Sequence, residues 1–185
     1  MARNDELSRR LAFARIDATT LGVLPELWGL FEPHLEGILR RFYDHLGREP
    51  DLARLIGSRS SDLARAQSRH WARVFSGRFD EDYAASVRAI GFAHHRIGLE
   101  PRWYIGGYQY VLNELTALLV AAAGLRKGSL VGRLQALNKA VMLDMDLAIS
   151  VYQEVLLEER ARQSTFLEGA ISTFKTSAEA ALGDV

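Results

Sequence analysis

The chain has 185 residues, 48% of them hydrophobic, and its 23 basic and 23 acidic residues cancel to a formal charge of zero. That length and apolar content suit one well-packed core in a single domain, and a balanced charge offers no field for a phosphate backbone, so nucleic acid is not an expected partner. The sequence has no cysteine, which excludes disulfides, thiolate metal sites and any C-x-x-C-H attachment together. It also has no run of about 18 apolar residues and no targeting segment, so no membrane span and a cytoplasmic location are expected.

Apolar residues recur with helical spacing nearly everywhere, and no segment alternates with period two for long enough to make a strand; the predicted class is all-α. Pro25, Pro33, Pro50 and Pro101 punctuate the chain. A short leading helix is predicted near 5–16. A segment near 18–31 opens after Asp17 as N-cap, with Pro25 a kink or restart. A helix over 33–47 carries the stripe Leu35, Ile38, Leu39, Phe42 and Leu46, and a short turn of helix follows near 50–56. The next helix, about 60–76, has Leu63, Ala66, His70 and Val74 on one side, and Gly77 suits its C-terminal stop. A helix over 80–98 precedes one that Pro101 opens and that lasts to about Ala123, before Gly124.

From Ser129 to Arg160 nothing interrupts helical spacing, and at 1.5 Å per residue that stretch is roughly 48 Å long. Leu130, Leu134, Leu137, Val141, Ala148, Val151 and Val155 keep heptad-like positions, with Asp144 the one polar intruder. Such a seam faces another helix, either within the same core or across a symmetric dimer in which the last two long helices of each subunit form a four-helix interface. Glu158 to Arg162 reads as a solvated crossing, and Leu167, Ala170, Phe174, Ala178 and Ala181 mark a second amphipathic stretch that ends at Val185. The expected organisation is a domain over 1–160 and a helical linker over 161–185 toward a further module.

Tyr83, Val87, Ile90, His94 and Ile97 are spaced by three and four, so they share one face of the 80–98 helix. His95 lies about 100° around the helix, with Arg88, Gly91, Phe92 and Leu99 as its neighbours at one turn. An imidazole buried on an apolar face must find a partner for each nitrogen, because an unpaired buried polar group costs roughly 1–3 kcal/mol. A metal centre on one side and an acceptor on the other would satisfy both nitrogens; so would the hydrogen bonds of a plain core histidine.

The run around it, AHHRIGLEPRWYIGGY, resembles the proximal segment of the globin-coupled sensors, bacterial haem domains of globin type whose motif reads roughly IG-x-x-H-x-R-I-G-L-x-P-x-W-Y-I. Ile90, Gly91, His94, Arg96, Ile97, Gly98, Leu99, Pro101, Trp103, Tyr104 and Ile105 all fall in place. The resemblance implies a globin fold, a three-over-three helical sandwich, with an extra N-terminal helix and a long C-terminal signalling helix. It implies a haem b, held without a covalent bond and ligated at its iron by His94. It places Trp103 against the haem and gives Tyr104 a hydrogen bond to the ligating histidine. Phe42 and Ile90 would wall the macrocycle, though both are equally ordinary core residues.

On the gas side the family pattern FY-x-x-L matches Phe42-Tyr43-Asp44-His45-Leu46, which implies that Tyr43 donates a hydrogen bond to the ligand. Bound dioxygen gathers negative charge and carbon monoxide does not, so one such bond is worth about 1–3 kcal/mol, roughly 5- to 150-fold in affinity. A leucine and a hydroxyl residue three positions later, frequent in the family, fall on Leu63 and Ala66. Ala66 departs from the pattern, leaving Tyr43 alone or assisted by Gln67. His70 is a weaker distal candidate, better read as a structural hydrogen-bonding residue.

The expected function is therefore an oxygen sensor, not an enzyme, that also binds carbon monoxide and nitric oxide. It would be a homodimer that signals to an output module, and the FKTSAEAAL run looks most like a chemoreceptor linker. Alternatives are a haem enzyme such as a nitric oxide dioxygenase or peroxidase, the sensor of a diguanylate cyclase or histidine kinase, or a haem-free dimerisation module. No H-E-x-x-H, G-x-x-x-x-G-K-[ST] or G-x-S-x-G is present, so metalloprotease, nucleotide-binding and hydrolase readings lose their motifs.

Overall fold

The computed structural model describes the backbone of residues 2–123 and 130–183 and the side chains of residues 5–123 and 130–175. Among these residues the chain forms seven helices and no strand: α1 (Ala2–Phe13), α2 (Ala18–Leu46), α3 (Pro50–Ile56), α4 (Ser60–Val74), α5 (Glu81–Arg96), α6 (Pro101–Ala123) and α7 (Leu130–Gly183). The all-α class and most element bounds agree with the sequence reading. The expected stop at Gly124 and the positions Ala178, Ala181 and Val185 lie outside the residues whose side chains are described. No described helix is long and apolar enough to cross a membrane.

Local signals set the starts. The Asp17 carboxylate accepts from the Thr20 backbone N–H and hydroxyl, both at 2.8 Å, and caps α2. Asp80 accepts from the Tyr83 N–H at 2.9 Å and caps α5. Pro50 and Pro101 stand first in α3 and α6, where a missing N–H leaves nothing unpaired.

The prediction of two helices over 18–31 and 33–47 is corrected: α2 is one helix of 29 residues that runs through Pro25 and Pro33. An interior proline costs about 3 kcal/mol, but both rings are on the exposed side. The opposite side buries Leu24, Leu27, Phe31, Leu35, Ile38, Leu39 and Phe42, at roughly 1.5–3 kcal/mol each. The continuous stripe outweighs the two broken hydrogen bonds. Pro25 also leaves the Leu21 carbonyl without its helical donor, and the backbone of Gly77 lies against that carbonyl. A Cβ at Gly77 would stand 2.8 Å from the Leu21 oxygen.

Helix α7 is the spine. It packs along α5 and α6 and also against α2, while α4 lies on α2 and α1 lies beside α5. Leu137, Val141, Ala148 and Val151 are wholly buried inside the chain's own core, so the seam's centre is occupied by α5 and α6 and not by a second subunit. At the tightest crossing a Cβ on Gly91 of α5 would sit 2.7 Å from the Ala148 carbonyl oxygen and 2.9 Å from a Val151 methyl. The supposed crossing at 158–162 continues the helix, and every residue from Leu156 to Lys175 is exposed.

Gly77 has φ +71 and Gly98 has φ +75, but only Gly77 faces a near neighbour; nothing lies within 4 Å of a Cβ at Gly98. Gly98→Ala should lose about 1–2 kcal/mol, the left-handed backbone cost alone, and Gly77→Ala clearly more. Equal losses by urea unfolding would contradict the close approach at Leu21.

Candidate functional site

His94 stands in the last turn of α5. Its Nδ1 is buried and meets no partner with hydrogen-bonding geometry. Burial lowers its proton affinity, the carbonyl of Ile90 one turn earlier partly restores it, and the His70 ring lowers it again. A neutral imidazole is the form that ligates a metal, and a buried Nδ1 short of a partner is open to the acceptor that a ligating histidine uses on that side. Gly91, one turn before His94, allows α5 to lie on the α7 backbone, so the position of this imidazole is set by the spine. Ile97, expected on the same buried stripe, is 43% exposed, because α5 ends at Arg96. His95 points elsewhere, with its ring edge-on to Tyr152 at 5.5 Å.

Helix α6 delivers Tyr104 to His94, with ring centroids 4.9 Å apart and tilted by 58°. The expected hydrogen bond to His94 is not made in this structure; the Tyr104 hydroxyl stands 3.2 Å from that of Tyr108 instead. Trp103 is half-buried beneath the Arg102 guanidinium, 5.1 Å from its ring. Ile90 is half-buried.

Across the core, Phe42 is buried at 6% exposure. Its ring lies 5.2 Å from Tyr43 and against Gly107 of α6, where a Cβ would come within 3.3 Å. Tyr43 is half-buried, and burial pushes its hydroxyl up to about 12, so it remains a donor at any physiological pH. On α4, Leu63 is half-buried while Ala66 is exposed; its methyl is too short to reach inward from that side. Gln67 turns its Oε1 inward, buried and without a partner. His70 is held by Asp144 of α7, Nε2 to Oδ2 at 2.7 Å, which is the structural role foreseen for it.

Asp144 is the residue that sequence reasoning left unexplained. It is 0% exposed and accepts from the hydroxyls of Tyr83 and Tyr108, the latter at 2.6 Å, as well as from His70. The available signal was its place as the one polar residue in an apolar heptad pattern.

Among the described residues, four buried side-chain polar atoms have no partner: Gln67 Oε1, Trp71 Nε1, His94 Nδ1 and Arg133 Nε. Three of them belong to α4 and α5, which pack chiefly on α2 and α7 respectively. Orphaned buried groups are rare and ask for an explanation. No cluster of three or more His, Asp or Glu among the described residues suits a bare metal ion. A macrocycle that brings its own four equatorial nitrogens needs from the protein only one imidazole and apolar walls; His94 is such an imidazole, and Phe42, Leu63 and Ile90 are side chains of the required apolar kind.

Comparison with known proteins gives the same direction. The chain is 31% identical over 158 residues to the heme-based aerotactic transducer HemAT of Halobacterium salinarum, an alignment covering 80% of this chain and 32% of the relative. This chain thus spans about a third of the relative's length. The fold matches the globin domain of the Geobacter sulfurreducens globin-coupled sensor with a TM-score of 0.73 at 21% identity, over 78% of this chain and 96% of that one. The ferric globin domain of E. coli DosC gives 0.62 at 17% identity, over 83% and 99%. The Protoglobin family profile matches residues 3–158; the chain belongs to the protoglobin family and has the globin fold.

Proposed function

We propose that the chain is a haem-based oxygen sensor domain that holds a b-type haem through His94 Nε2. The observation that carries this reading is the buried His94, whose Nδ1 makes no hydrogen bond of full geometry, within a run that resembles the proximal segment of the globin-coupled sensors. When bound, ferrous haem supplies reversible ligation of a diatomic gas. The chain supplies the rest. His94 presents a nitrogen whose basicity depends on what its Nδ1 meets. Tyr43 would offer a donor proton to the bound gas, in a setting where burial keeps it on the oxygen. Phe42, Leu63 and Ile90 exclude water, and Gln67 offers a second polar group from α4. Carbon monoxide and nitric oxide bind the same metal, but a hydrogen-bond donor favours dioxygen over carbon monoxide.

The output is carried by α7. Residues 1–160 form the sensor and 161–185 the connector, a division supported by the full exposure of the helix from Leu156 to Lys175. A chemoreceptor module fits the aerotactic relative best. The proposed homodimer uses the outward stripes of α6 and α7, where Ile105, Val120, Val131, Met142, Leu156 and Leu157 are 46% to 64% exposed.

Reduced protein loaded with haemin should form a reversible oxy spectrum in air. Tyr43→Phe should speed oxygen dissociation about 5- to 150-fold and change carbon monoxide affinity far less; unchanged oxygen kinetics would remove Tyr43 from its role. The wild-type rate should also show no break below about pH 12, where the phenol titrates.

His94→Leu separates a ligand from a structural histidine. In haem-free protein it deletes a buried polar atom that has no partner, so stability to urea should stay level or rise by up to about 1–3 kcal/mol. A marked loss would mean that His94 is a structural residue. For the dimer, Leu157→Glu or Met142→Glu should lower the sedimentation coefficient toward that of a monomer, and an unaltered profile of a wild-type dimer would place the interface elsewhere.

A further inference from the structure

The buried Asp144 cluster joins four of the helices around the site: Tyr83 from α5, Tyr108 from α6, His70 from α4 and the carboxylate itself from α7. Hydrogen-bond direction inside it is fixed by chemistry. A carboxylate only accepts, so the single hydroxyl proton of Tyr108 is committed to Asp144 Oδ2 at 2.6 Å. Tyr108 can then only accept from its other phenolic neighbour, Tyr104, at 3.2 Å. That contact uses the one proton of Tyr104. What Tyr104 has left is lone pairs, and the group beside its ring is His94, whose buried Nδ1 makes no hydrogen bond of full geometry, with the Ile90 carbonyl also acting on the ring.

We infer that Asp144 is a positioning residue: through Tyr108 it leaves Tyr104 only lone pairs to turn toward His94, so that Tyr104 joins the Ile90 carbonyl in favouring the proton on Nδ1 and leaves Nε2 bare for the iron. A neutral imidazole has one N–H, and whichever nitrogen meets an acceptor keeps it. Burial holds the two phenols protonated well above their ordinary range, and the Asp144 charge adds to the effect at both, so the relay does not lose its protons near neutral pH. Asp144 lies one turn before Ala148, whose carbonyl is the near neighbour of Gly91. The residue that fixes the hydrogen bonding beside His94 therefore sits on the output helix next to the α5 crossing. A sliding or turning of α7 would alter the Asp144–Tyr108 bond, and with it the basicity of the iron ligand.

This inference rests on the haem reading above, and its test separates the two. The 185-residue chain is compared as wild type, Asp144→Asn, Tyr108→Phe and the control Asp146→Asn, which alters an exposed carboxylate of the same helix that pairs with Arg10 of α1. In the ferrous, gas-free, haem-loaded state, resonance Raman should show the iron–histidine stretch at lower frequency in Asp144→Asn and Tyr108→Phe and unmoved in Asp146→Asn. In haem-free protein, nitrogen-15 spectra of the His94 ring should show the Nδ1–H tautomer in wild type and a shift toward Nε2–H in the first two variants. If Asp144→Asn does not fold, Tyr108→Phe carries the same comparison, since it removes the acceptor of the Tyr104 proton and the Tyr108–Asp144 bond while leaving the carboxylate in place. Identical tautomers and identical stretches in wild type and Tyr108→Phe would overturn the inference. A wild type that takes up no haem would instead overturn the sensor reading, and the tautomer comparison would still judge the relay.

Discussion

Gly91 has no side chain, and the site depends on that. Any Cβ there would drive into the Ala148 carbonyl and the Val151 side chain, so only glycine lets α5 rest on the α7 backbone. Because packed cores switch between arrangements more readily than they deform, a crossing this tight makes displacement of α5 and displacement of α7 one event. His94 is one turn from the crossing on α5, and Asp144 is one turn from it on α7. In the proposed sensor, a change of ligation felt by the imidazole would thus have a short path to the helix that leaves the body of the protein.

The cost of burying Asp144 bears on the same point. An isolated carboxylate in an apolar interior costs several kcal/mol even after relaxation, and three donors from three different helices offset that cost here. An apolar residue would fill the position more simply in a chain whose only task was to fold. A shared polar contact among helices specifies a unique register, which a signalling helix needs more than a passive one does. In the proposed sensor, gas binding would have only to favour one of two such registers by its differential affinity.

Much of this was legible in the sequence because it is periodic or local. The helices, the Asp17 cap and the 50–56 turn follow from spacing and residue type, and the proximal motif from its resemblance to the globin-coupled sensors. The break expected between 31 and 33 was wrong because proline was weighed as a local signal, while a continuous buried stripe from Leu24 to Phe42 decided the outcome. The heptad pattern of α7 was read correctly as a seam, but periodicity alone cannot say whether its partner is another part of the chain. Val151 turned out to face Gly91. Asp144 was noticed as an intruder, yet its three donors lie 36 to 74 positions away, and no local rule connects them. Ala66 was placed by family spacing on a face that the structure leaves exposed, and Gln67, its neighbour, brings the inward polar atom.

The central claim is that His94, and not its neighbour His95, ligates a haem iron. The direct measurement is haem stoichiometry from the visible absorbance of purified wild-type, His94→Ala and His95→Ala proteins after haemin loading, reduced under anaerobic conditions and then exposed to air. The account predicts one haem per chain and a reversible oxy spectrum for wild type and His95→Ala, and loss of both in His94→Ala. A normal spectrum in His94→Ala, or no haem uptake by the wild type, would contradict it.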